Sequence, residues 1–433
     1  WVLYSTDATN VAAGVIDAGN GFDAYLHDLH TGATILVTRS FDGPNVAVNG
    51  GGMVALSGDG GHVLWHSSSP FVISGIVDTN FNQDAFLFDR QSSSNHLLSR
   101  SVLTPNSTAN AGSRPTWLSS DGRYALYSSN ASDLLSAGAD RNADRDVYVF
   151  DAEVSGSLLV SQRRATLPTT ANGAPGAPLA SQSSDGRWVL YSSTATNVLE
   201  GQVDENGGSD VFLHDTVNDF TLLISHTGTS ALSTGNASSG AVALSADGRW
   251  ALFESQATNI LIGTIDTNNA TDVYLFDRDS GVTTLITHAA SSLAMAANRA
   301  SRATALTPDG HWVLFASQAT NLIAGIIDGS IQDVFLYEVP TASTSLISHS
   351  AASVMTPASA HSNPIAITPD GLFVVISSYA TNLVDGQIDV NAQTLNDTIF
   401  AVASGAEQVV VVVNDNSTGN DQIICDESIT SVA

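Results

Sequence analysis

The residues best suited to chemistry lie in a short acidic motif. Asp204, Asn206 and Asp210 place side-chain oxygens at positions one, three and seven of a single stretch. Alternating oxygen donors in a tight turn, helped by backbone carbonyls, suit a hard cation such as Ca²⁺, whereas Mg²⁺ requires near-octahedral geometry and usually keeps its waters. The motif therefore predicts a calcium site, with a loop carbonyl near Gly208 as a further ligand.

This motif, which we call the acidic loop, recurs along the chain with variations at both ends. In the first copy the asparagine stands at position four, the sixth copy is one residue shorter with Ser330 at position three, and the seventh is two residues longer. We therefore expect the sixth and seventh sites to be distorted or empty. The predicted metal ligands are Asp17, Asn20, Asp23, Asp78, Asn80, Asp84, Asp140, Asn142, Asp146, Asp204, Asn206, Asp210, Asp266, Asn268, Asp272, Asp328, Asp333, Asp389, Asn391 and Asp397.

The acidic loops belong to an internal repeat of about 62 residues. Asp-Gly dipeptides recur at spacings of 62, 64, 62, 62 and 61 residues, and an acidic-loop aspartate follows each of them nineteen residues later. The dipeptides begin at Asp59, Asp121, Asp185, Asp247, Asp309 and Asp370. Asp17 adds a seventh copy, so the repeats span approximately residues 1–56, 57–118, 119–182, 183–244, 245–306, 307–367 and 368–433.

Each repeat has the pattern of four short strands. Residues 187–193 alternate bulky side chains after an Asp-Gly turn, which is typical of the second strand of a hairpin. The pattern predicts a third strand at 210–215 and a fourth at 221–225, and no helical periodicity occurs anywhere. Four-stranded meanders predict an all-β fold, a single-domain seven-bladed β-propeller with four antiparallel strands per blade.

The repeat spacing also predicts how the ring closes. It places the end of the last fourth strand at Val412 and leaves Ile429–Val432 as the first strand that the N-terminal blade lacks. We expect these residues to pair with Trp1–Ser5, because closure leaves no open sheet edge. Since Trp1 lies in an apolar run with no Met and no signal peptide, we also expect a processed or excised piece of a longer chain.

The acidic loops have an alternative explanation, since Asp and Asn form Asx-turns that would hold a loop without metal. In the predicted propeller, however, fourteen aspartates from seven loops share one face of the disk. Carboxylates that lie close together raise each other's pKa or require a counter-cation. Several Ca²⁺ ions are therefore the cofactor that the sequence predicts.

Other recurrent polar residues are expected to be structural. The aspartates of the Asp-Gly dipeptides and the acids that end the third strands precede turns, where carboxylates cap backbone N–H groups. Those third-strand acids are Asp28, Asp89, Asp151, Asp215, Asp277 and Glu338. His226, His288 and His349 hold one equivalent position in successive repeats. Because that position falls on different blades, these histidines cannot meet in a metal triad.

Catalytic motifs are absent from the sequence. It contains no Gly-x-Ser-x-Gly elbow, no His-Glu-x-x-His motif and no phosphate-binding loop. Cys425 is the single cysteine, which excludes an internal disulfide and cysteine-based metal clusters. We therefore expect that the chain is not an enzyme. A polysaccharide lyase or hydrolase built on the disk stays as an alternative, because a triad assembled across blades leaves no sequence motif.

The repeat also resembles a known family. Its elements include Asp-Gly-Arg-Trp-Val-Leu-Tyr-Ser-Ser at 185–193, Ala-Thr-Asn-Leu at 319–322, Asp-x-Asn-x-x-x-Asp-Val-Phe-Leu at 204–213 and Leu-Ile-Ser at 223–225. These are similar to the TolB-type, WD-like propeller repeats of bacterial envelope and secreted proteins. The resemblance covers essentially the whole chain and implies the propeller fold. It implies no single function, because such propellers serve as docking platforms, as domains of peptidases and lyases, and as surface modules.

Charge limits the partners that we expect. The chain has 42 acidic and 14 basic residues, all of the latter Arg, for a net charge of −28. Such a surface lacks the basic footprint that nucleic acid requires. The longest aliphatic run, Val409–Val413, has five residues, whereas a membrane-spanning helix needs roughly 20. We therefore expect no nucleic-acid partner and no direct membrane insertion.

Together these patterns predict a calcium-binding propeller that acts as a structural or adhesive binding module. Millimolar external Ca²⁺ fills weak extracellular sites, and a lysine-free acidic surface suits a saline or protease-rich exterior. We therefore expect a secreted or surface-exposed protein of bacterial type, whose partner is another protein, a polysaccharide or a second copy of itself. The alternative is a subunit of a homopolymeric surface filament or layer.

Overall fold

Short antiparallel β-strands form all the regular structure of the described residues, which contain no helix. The computed structural model describes residues 1–17, 21–48, 51–136, 139–140, 142, 144–163, 169–174, 181–326, 329 and 331–383, and the backbone of 397–402, 411–412 and 423–424. The all-β fold class is thus confirmed. Within the described residues there is accordingly no helix that could span a membrane.

The Asp-Gly turn shows why the chain reverses where the sequence predicts. At Asp185 a carboxylate oxygen accepts from the backbone N–H of Arg187 at 3.0 Å and from the hydroxyl of Ser183 at 2.5 Å. The Ser183 hydroxyl in turn accepts from the N–H of Trp188 at 2.9 Å. Gly186 occupies the left-handed position with φ of 74°, which glycine adopts without steric cost. The next strand therefore starts directly after the turn.

The first compact unit comprises Trp1–Leu223. It holds one three-stranded sheet, three four-stranded sheets and one two-stranded pair, in each of which consecutive strands run antiparallel. Sheet 1 is β1 (Val2–Thr6), β2 (Asp23–His27) and β3 (Thr34–Leu36); sheet 2 is β4 (Gly51–Leu56), β5 (His62–Ser67), β6 (Asp84–Asp89) and β7 (Ser94–Leu97); sheet 3 is β8 (Ser113–Leu118), β9 (Tyr124–Ser129), β10 (Asp146–Asp151) and β11 (Gly156–Leu159). The pair is β12 (Gln162–Arg163) with β13 (Thr169–Thr170), and sheet 4 is β14 (Ser181–Gln182), β15 (Trp188–Ser193), β16 (Asp210–Asp215) and β17 (Phe220–Leu223).

The second compact unit comprises Ile224–Ala433. Sheets of the same type alternate here with two-stranded pairs. In chain order they are β18 (His226–Thr227) with β19 (Ser230–Thr234); sheet 5, which is β20 (Ser239–Leu244), β21 (Trp250–Ser255), β22 (Asp272–Asp277) and β23 (Val282–Leu285); and β24 (His288–Ala289) with β25 (Ser292–Ala296). Then follow sheet 6, which is β26 (Ser301–Leu306), β27 (Trp312–Ser317), β28 (Asp333–Glu338) and β29 (Ser343–Leu346); β30 (His349–Ser350) with β31 (Ser353–Pro357); sheet 7, which is β32 (Ser362–Ile367), β33 (Phe373–Ser378) and β34 (Asp397–Val402); and β35 (Val411–Val412) with β36 (Ile423–Ile424).

The hydrophobic cores lie between neighbouring sheets of each unit. In the first unit Leu26 of sheet 1 packs in one cluster with Trp65 and Phe88 of sheet 2. In the second unit Leu252 of sheet 5 shares a cluster with Phe315 of sheet 6. Burying a large apolar side chain of this kind stabilises a fold by about 1.5–3 kcal/mol. The alternating residues of the strands thus supply the energy that holds sheet against sheet.

The two-stranded pairs are the main departure from the predicted meander. The sequence predicts only a polar connection between one repeat's fourth strand and the next repeat's first strand, but the structure places a short hairpin there in several repeats. His226, His288 and His349 each begin such a hairpin, and a ring nitrogen of each contacts the carbonyl of the following residue. Small residues, mainly serine, threonine and alanine, make up most of these stretches and gave little hydrophobic alternation to detect.

Seven blades and ring closure stay predictions. The closing segment, Ile429–Val432, lies outside the described residues, and within them β1 pairs with β2 alone. Sheet 1 has three strands within the described chain, in the order β1-β2-β3.

Candidate metal centre

Each acidic loop connects the second strand of a sheet to the third. In sheet 5 it connects β21 to β22, with Asp266 in the loop and Asp272 as the first residue of β22. Asp84, Asp146, Asp210 and Asp333 begin the third strands of sheets 2, 3, 4 and 6 in the same way. The second acid is therefore fixed by the sheet, whereas the first is held by the loop.

The second acid of the loop is buried, and it is braced by a hydroxyl that lies two residues beyond the last strand of the sheet. Asp272 has no exposed surface, and one of its oxygens accepts a hydrogen bond of 3.0 Å from Thr287. The Thr287 hydroxyl also accepts from the backbone N–H of Val273. The other oxygen, Oδ2, is buried and has no hydrogen-bond partner among the described residues. Equivalent pairs are Thr38 with Asp23, Ser99 with Asp84, Ser161 with Asp146, and Ser348 with Asp333.

The first acid of the loop uses one oxygen for the turn. Oδ1 of Asp266 accepts from the backbone N–H groups of Asn268 at 3.1 Å and Asn269 at 3.3 Å, while its Oδ2 is buried without a hydrogen-bond partner among the described residues. Asp78 repeats this arrangement in sheet 2. The Asx-turn and the metal-ligand interpretations are therefore compatible, because each uses a different oxygen.

The pKa of the second acid of a loop is raised by burial and by the first acid. Burial, together with the charge of Asp266, raises the pKa of Asp272 to about 7. Burial and the neighbouring first acid likewise raise the pKa of Asp84 and of Asp146 to about 7, and that of Asp23 to about 6. A carboxylate in this position must either take up a proton or be neutralised by a cation.

The asparagine of the loop has a bracing role in the structure. In sheet 2 the Nδ2 of Asn80 donates to the carbonyl of Ala109 at 2.6 Å, and its Oδ1 accepts from the N–H of Asn82. The same Nδ2 lies 3.4 Å from Oδ1 of Asp84. Its partners fix the amide orientation, since a carbonyl requires the NH₂ and an N–H requires the oxygen. In this geometry the side chain turns its NH₂ group towards the second acid.

Some of the other predicted ligands make the same bracing contacts as Asn80, and several lie outside the described residues. Asn142 and Asn268 also donate to a carbonyl of the following segment, from Ala171 and Ala297. Near Gly208 the structure shows the backbone N–H of that residue donating to Asn206. Of Asp397 only the backbone is described, at the start of β34. The residues outside the described part of the chain are Asn20, Asp328, Ser330, Asp389 and Asn391.

The fit of Ca²⁺ to this site rests on oxygen chemistry. Among the described residues no group of three or more His, Cys, Asp or Glu side chains could hold a metal ion. Two carboxylates of one loop, with backbone carbonyls and waters, form an all-oxygen donor set of the kind that a weak Ca²⁺ site uses. The unpaired oxygens of Asp266 and Asp272 are the two that such an ion would neutralise.

Sequence reasoning missed two groups that support the loop. The first is the hydroxyl just beyond the last strand of the sheet, whose spacing of fifteen residues after the second acid is visible in the sequence. The second is an asparagine clamp: the N–H of Asn298 donates to Asn321, and its side chain exchanges hydrogen bonds with Thr320. Asn236 does the same with Asn259 and Thr258. The recurrent Ala-Thr-Asn segment was the available signal.

Acids at the other end of the sheets are paired with arginine. Asp277, the last residue of β22, receives two hydrogen bonds from Arg249 at 2.8 and 2.9 Å, which lower its pKa to about 2. The guanidinium carbon of Arg249 lies 4.6 Å from the ring centre of Trp250. Arg123 with Asp151 and Arg187 with Asp215 repeat the pair. Their carboxylates also cap turn N–H groups, which confirms the structural role predicted for them.

Comparisons with known proteins concern the fold. No protein-family model matches the sequence, and no curated protein matches it either. TolB from Acinetobacter baumannii is 15% identical with a TM-score of 0.36, and the match covers 90% of this chain and 78% of that one. A putative TolB from Agrobacterium tumefaciens is 18% identical with a TM-score of 0.34, with 73% and 88% covered. The structural neighbours of this chain thus include two TolB proteins.

The same comparison corrects one prediction. Similar structures include an acylaminoacyl peptidase from Pyrococcus horikoshii, which is 9% identical with a TM-score of 0.36, over 80% of this chain and 45% of the peptidase. The chain therefore spans less than half of that protein's length. The expectation that the chain is not an enzyme is wrong as stated, because it rested on missing motifs. A propeller segment of a peptidase needs no catalytic motif of its own.

Proposed function

We propose that this chain is a calcium-binding β-propeller module, secreted or exposed at a bacterial-type cell surface. In this proposal its calcium loops hold an apolar binding surface for another protein or a polysaccharide. Structural or adhesive attachment is the function that such a surface serves.

The observation that carries the proposal is the buried pair of Asp266 and Asp272. Both keep an oxygen buried without a hydrogen-bond partner among the described residues, and Asp272 is fully buried. Leaving such groups unsatisfied is costly, and a buried ionised pair costs more. A divalent cation removes both penalties at once. The recurrence of the pair in other sheets supports several such ions.

A proton is the competing partner of this pair. With a pKa near 7, Asp272 is partly protonated at neutral pH when no metal is bound. Metal ligands must be deprotonated, so calcium binding at this site should release protons. Weak sites of this kind are filled where Ca²⁺ is millimolar, which supports a location outside the cytoplasm.

Exposed apolar side chains beside the acidic loops support a binding surface. Ile265 directly precedes Asp266 and is 54% exposed. Its backbone bonds to Ala294 at 2.8 Å and to Ala296 at 3.0 Å, which fixes the loop against β25. Ile16, Val77 and Val203 precede the first acids of other loops and are similarly exposed. An ion bound at Asp266 would therefore rigidify a surface residue next to it, and pre-organised surfaces bind more tightly.

A calcium titration with matched variants tests the metal. We expect calorimetry on chelator-stripped protein to show calcium binding, and Asp272→Asn to lose one site. Asp279→Asn is the control, since this acid of the same sheet is 55% exposed and pairs with Arg278 at 2.9 Å. It should retain every site. Absence of binding heat together with an unchanged melting curve would contradict the proposal.

A second experiment tests the binding surface and the filament alternative. Sedimentation velocity with and without Ca²⁺ measures self-association directly. If copies of the chain bind each other through the loops, Ile265→Ser should weaken a calcium-dependent association. Val282→Ser should leave it unchanged, because Val282 is equally exposed, at 56%, but begins β23 beyond the turn at the opposite end of sheet 5. A monomer in both conditions would exclude the filament and leave a different protein or a polysaccharide as the partner.

A further inference from the structure

A pocket in the first unit lies outside the acidic loops. Its volume is about 450 Å³, and residues 39–41, 43–44, 72–74 and 93–95 line it. Phe41, Pro44, Val72 and Ile73 form an apolar wall, and Arg39 contributes the guanidinium. The pocket thus combines one cation with a hydrophobic surface.

Arg39 is buried in an unusual way for an arginine. The residue is only 6% exposed. Its Nε donates to the carbonyl of Leu36 at 3.0 Å, its Nη1 to that of Ser93 at 3.5 Å, and its guanidinium carbon lies 4.5 Å from the ring centre of Phe88. Its Nη2 is buried and has no hydrogen-bond partner among the described residues. One strong donor therefore remains unused.

Arg39 also lacks a counter-ion among the described residues that line the pocket, none of which is acidic. Asp42, the nearest acid in sequence, accepts a hydrogen bond of 3.3 Å from the hydroxyl of Ser40. Burial without a compensating carboxylate lowers the pKa of Arg39. By contrast, Arg123, Arg187 and Arg249 each bind a carboxylate of the chain. A buried, unpaired cation is costly, and an anion in the pocket would compensate for it.

We infer that this pocket binds a small carboxylate that carries an apolar or aromatic group. The carboxylate would accept from Nη2 of Arg39, and the apolar group would pack against Phe41, Val72 and Ile73. Phe41 is 45% exposed, and its ring centre lies 6.2 Å from that of Phe71, so aromatic surface continues beyond the pocket. Arg is the side chain best suited to planar recognition of a carboxylate.

The next repeat provides an internal control. Arg100 follows Ser99 as Arg39 follows Thr38. Arg100, however, is exposed, and its Nη1 donates to the carbonyl of Pro105 at 2.9 Å. The fifth repeat has His288 at this position, with its ring edge-on to Tyr337 at 6.1 Å. The site therefore depends on the burial of Arg39 and not on the residue type alone.

The test uses phenylacetate as the probe and calcium-saturated protein, with binding measured by calorimetry and ligand-observed NMR. We expect phenylacetate to bind, and the neutral isostere phenylacetamide to bind at least about tenfold more weakly, a loss of about 1.4 kcal/mol. Arg39→Met should weaken phenylacetate binding by a similar factor or more. Arg100→Met should leave it unchanged.

A pocket-filling variant keeps the test decisive if Arg39→Met does not fold. Ser74 is exposed and lines the pocket, so Ser74→Trp should block binding while Arg39 stays in place. Circular dichroism and a melting curve establish that each variant is folded. The inference is overturned if wild-type protein binds no phenylacetate at about 10 mM, a concentration that detects even very weak ligands. Equal binding of acid and amide, or undiminished binding in Ser74→Trp, would also overturn it.

Discussion

The two ends of strand β22 carry the same residue type in opposite states. Asp277 at the turn end binds Arg249, and its pKa falls to about 2. Asp272 at the loop end faces Asp266 in a buried setting, and its pKa rises to about 7. Strand β10 repeats the contrast with Asp151 and Asp146. The partner that the fold supplies, and not the aspartate itself, decides whether the charge is satisfied within the chain.

At the turn end, a partner within the chain neutralises the carboxylate. At the loop end, the proposed function assigns that part to a calcium ion. In the arginine pairs, the guanidinium of Arg187 or Arg249 neutralises the buried carboxylate of Asp215 or Asp277. Among the described residues, the acidic pairs keep buried oxygens without hydrogen-bond partners at Asp78, Asp266 and Asp272. A repeat protein of this kind can thus carry ion pairs at one end of a sheet and, in the proposed function, calcium-dependent sites at the other.

The largest expected effect comes from removing calcium, which should act on the loop end alone. At one hundred times the dissociation constant each independent site adds roughly 2.7 kcal/mol to the free energy of unfolding. Chelation should therefore lower the melting temperature by more than about 5 °C if several sites are filled. Differential scanning calorimetry measures this, with Mg²⁺ as the control ion that should restore little. An unchanged melting temperature would remove the distinction between the two ends.

The second expected effect is a pair of opposite pH slopes. In the folded chain the pKa of Asp84, Asp146 and Asp272 lies near 7, above that of the unfolded chain, so folding favours their protonated forms. In chelator, stability should therefore be greatest near pH 4 and fall as the pH rises to about 7. Asp277, with a pKa of about 2, contributes stability that is lost only as the pH falls below about 4.

Melting curves across this pH range check both slopes. Calcium should weaken or reverse the fall between pH 4 and 7, because protons and the ion compete for the same acids. Asp272→Asn should reduce the fall in chelator, whereas Asp279→Asn should preserve it. A chelated protein whose stability rises steadily over that range would contradict the assignment of the loop-end acids.

The third expected effect concerns the packing of the turn end. Gly310 has a φ of 74°, and a Cβ added there would lie 2.1 Å from the ring of Trp250. Gly310→Ala should cost about 3 kcal/mol, since overpacking adds to backbone strain. Gly281 has a similar φ of 70°, and no atom of the described residues lies within 4 Å of an added Cβ, so Gly281→Ala should cost only about 1 kcal/mol. Urea unfolding measures both, and equal losses would show that the ring contact is unimportant.

The smallest expected effect tests the arginine pair. Arg249→Met should destabilise the fold by more than the control variant below, because Asp277 loses two charge-assisted hydrogen bonds. The exposed Arg302 provides the control, and Arg302→Met should change stability by no more than about 0.5 kcal/mol. Calcium affinity should be the same in both variants. A loss of calcium binding in Arg249→Met would show that the two ends are coupled.

The sequence by itself determined the features that depend on near neighbours. The repeat of about 62 residues, the Asp-Gly turns and the third strand at 210–215 could be predicted, because turn chemistry and strand alternation act over a few residues. That Asp266 and Asp272 lie close together could be predicted for the same reason. Their spacing is short, and one loop contains both.

Only the tertiary structure decided which polar atoms are buried and what they contact. Arg39 and Arg100 look equivalent in sequence, yet one is 6% exposed against Phe88 and the other is exposed at the surface. Asp272 gains its hydroxyl partner from Thr287, fifteen residues away in the chain and just beyond the end of β23. Burial and partner choice depend on segments that are distant in the chain, so they emerge only when strands and sheets pack and water is excluded.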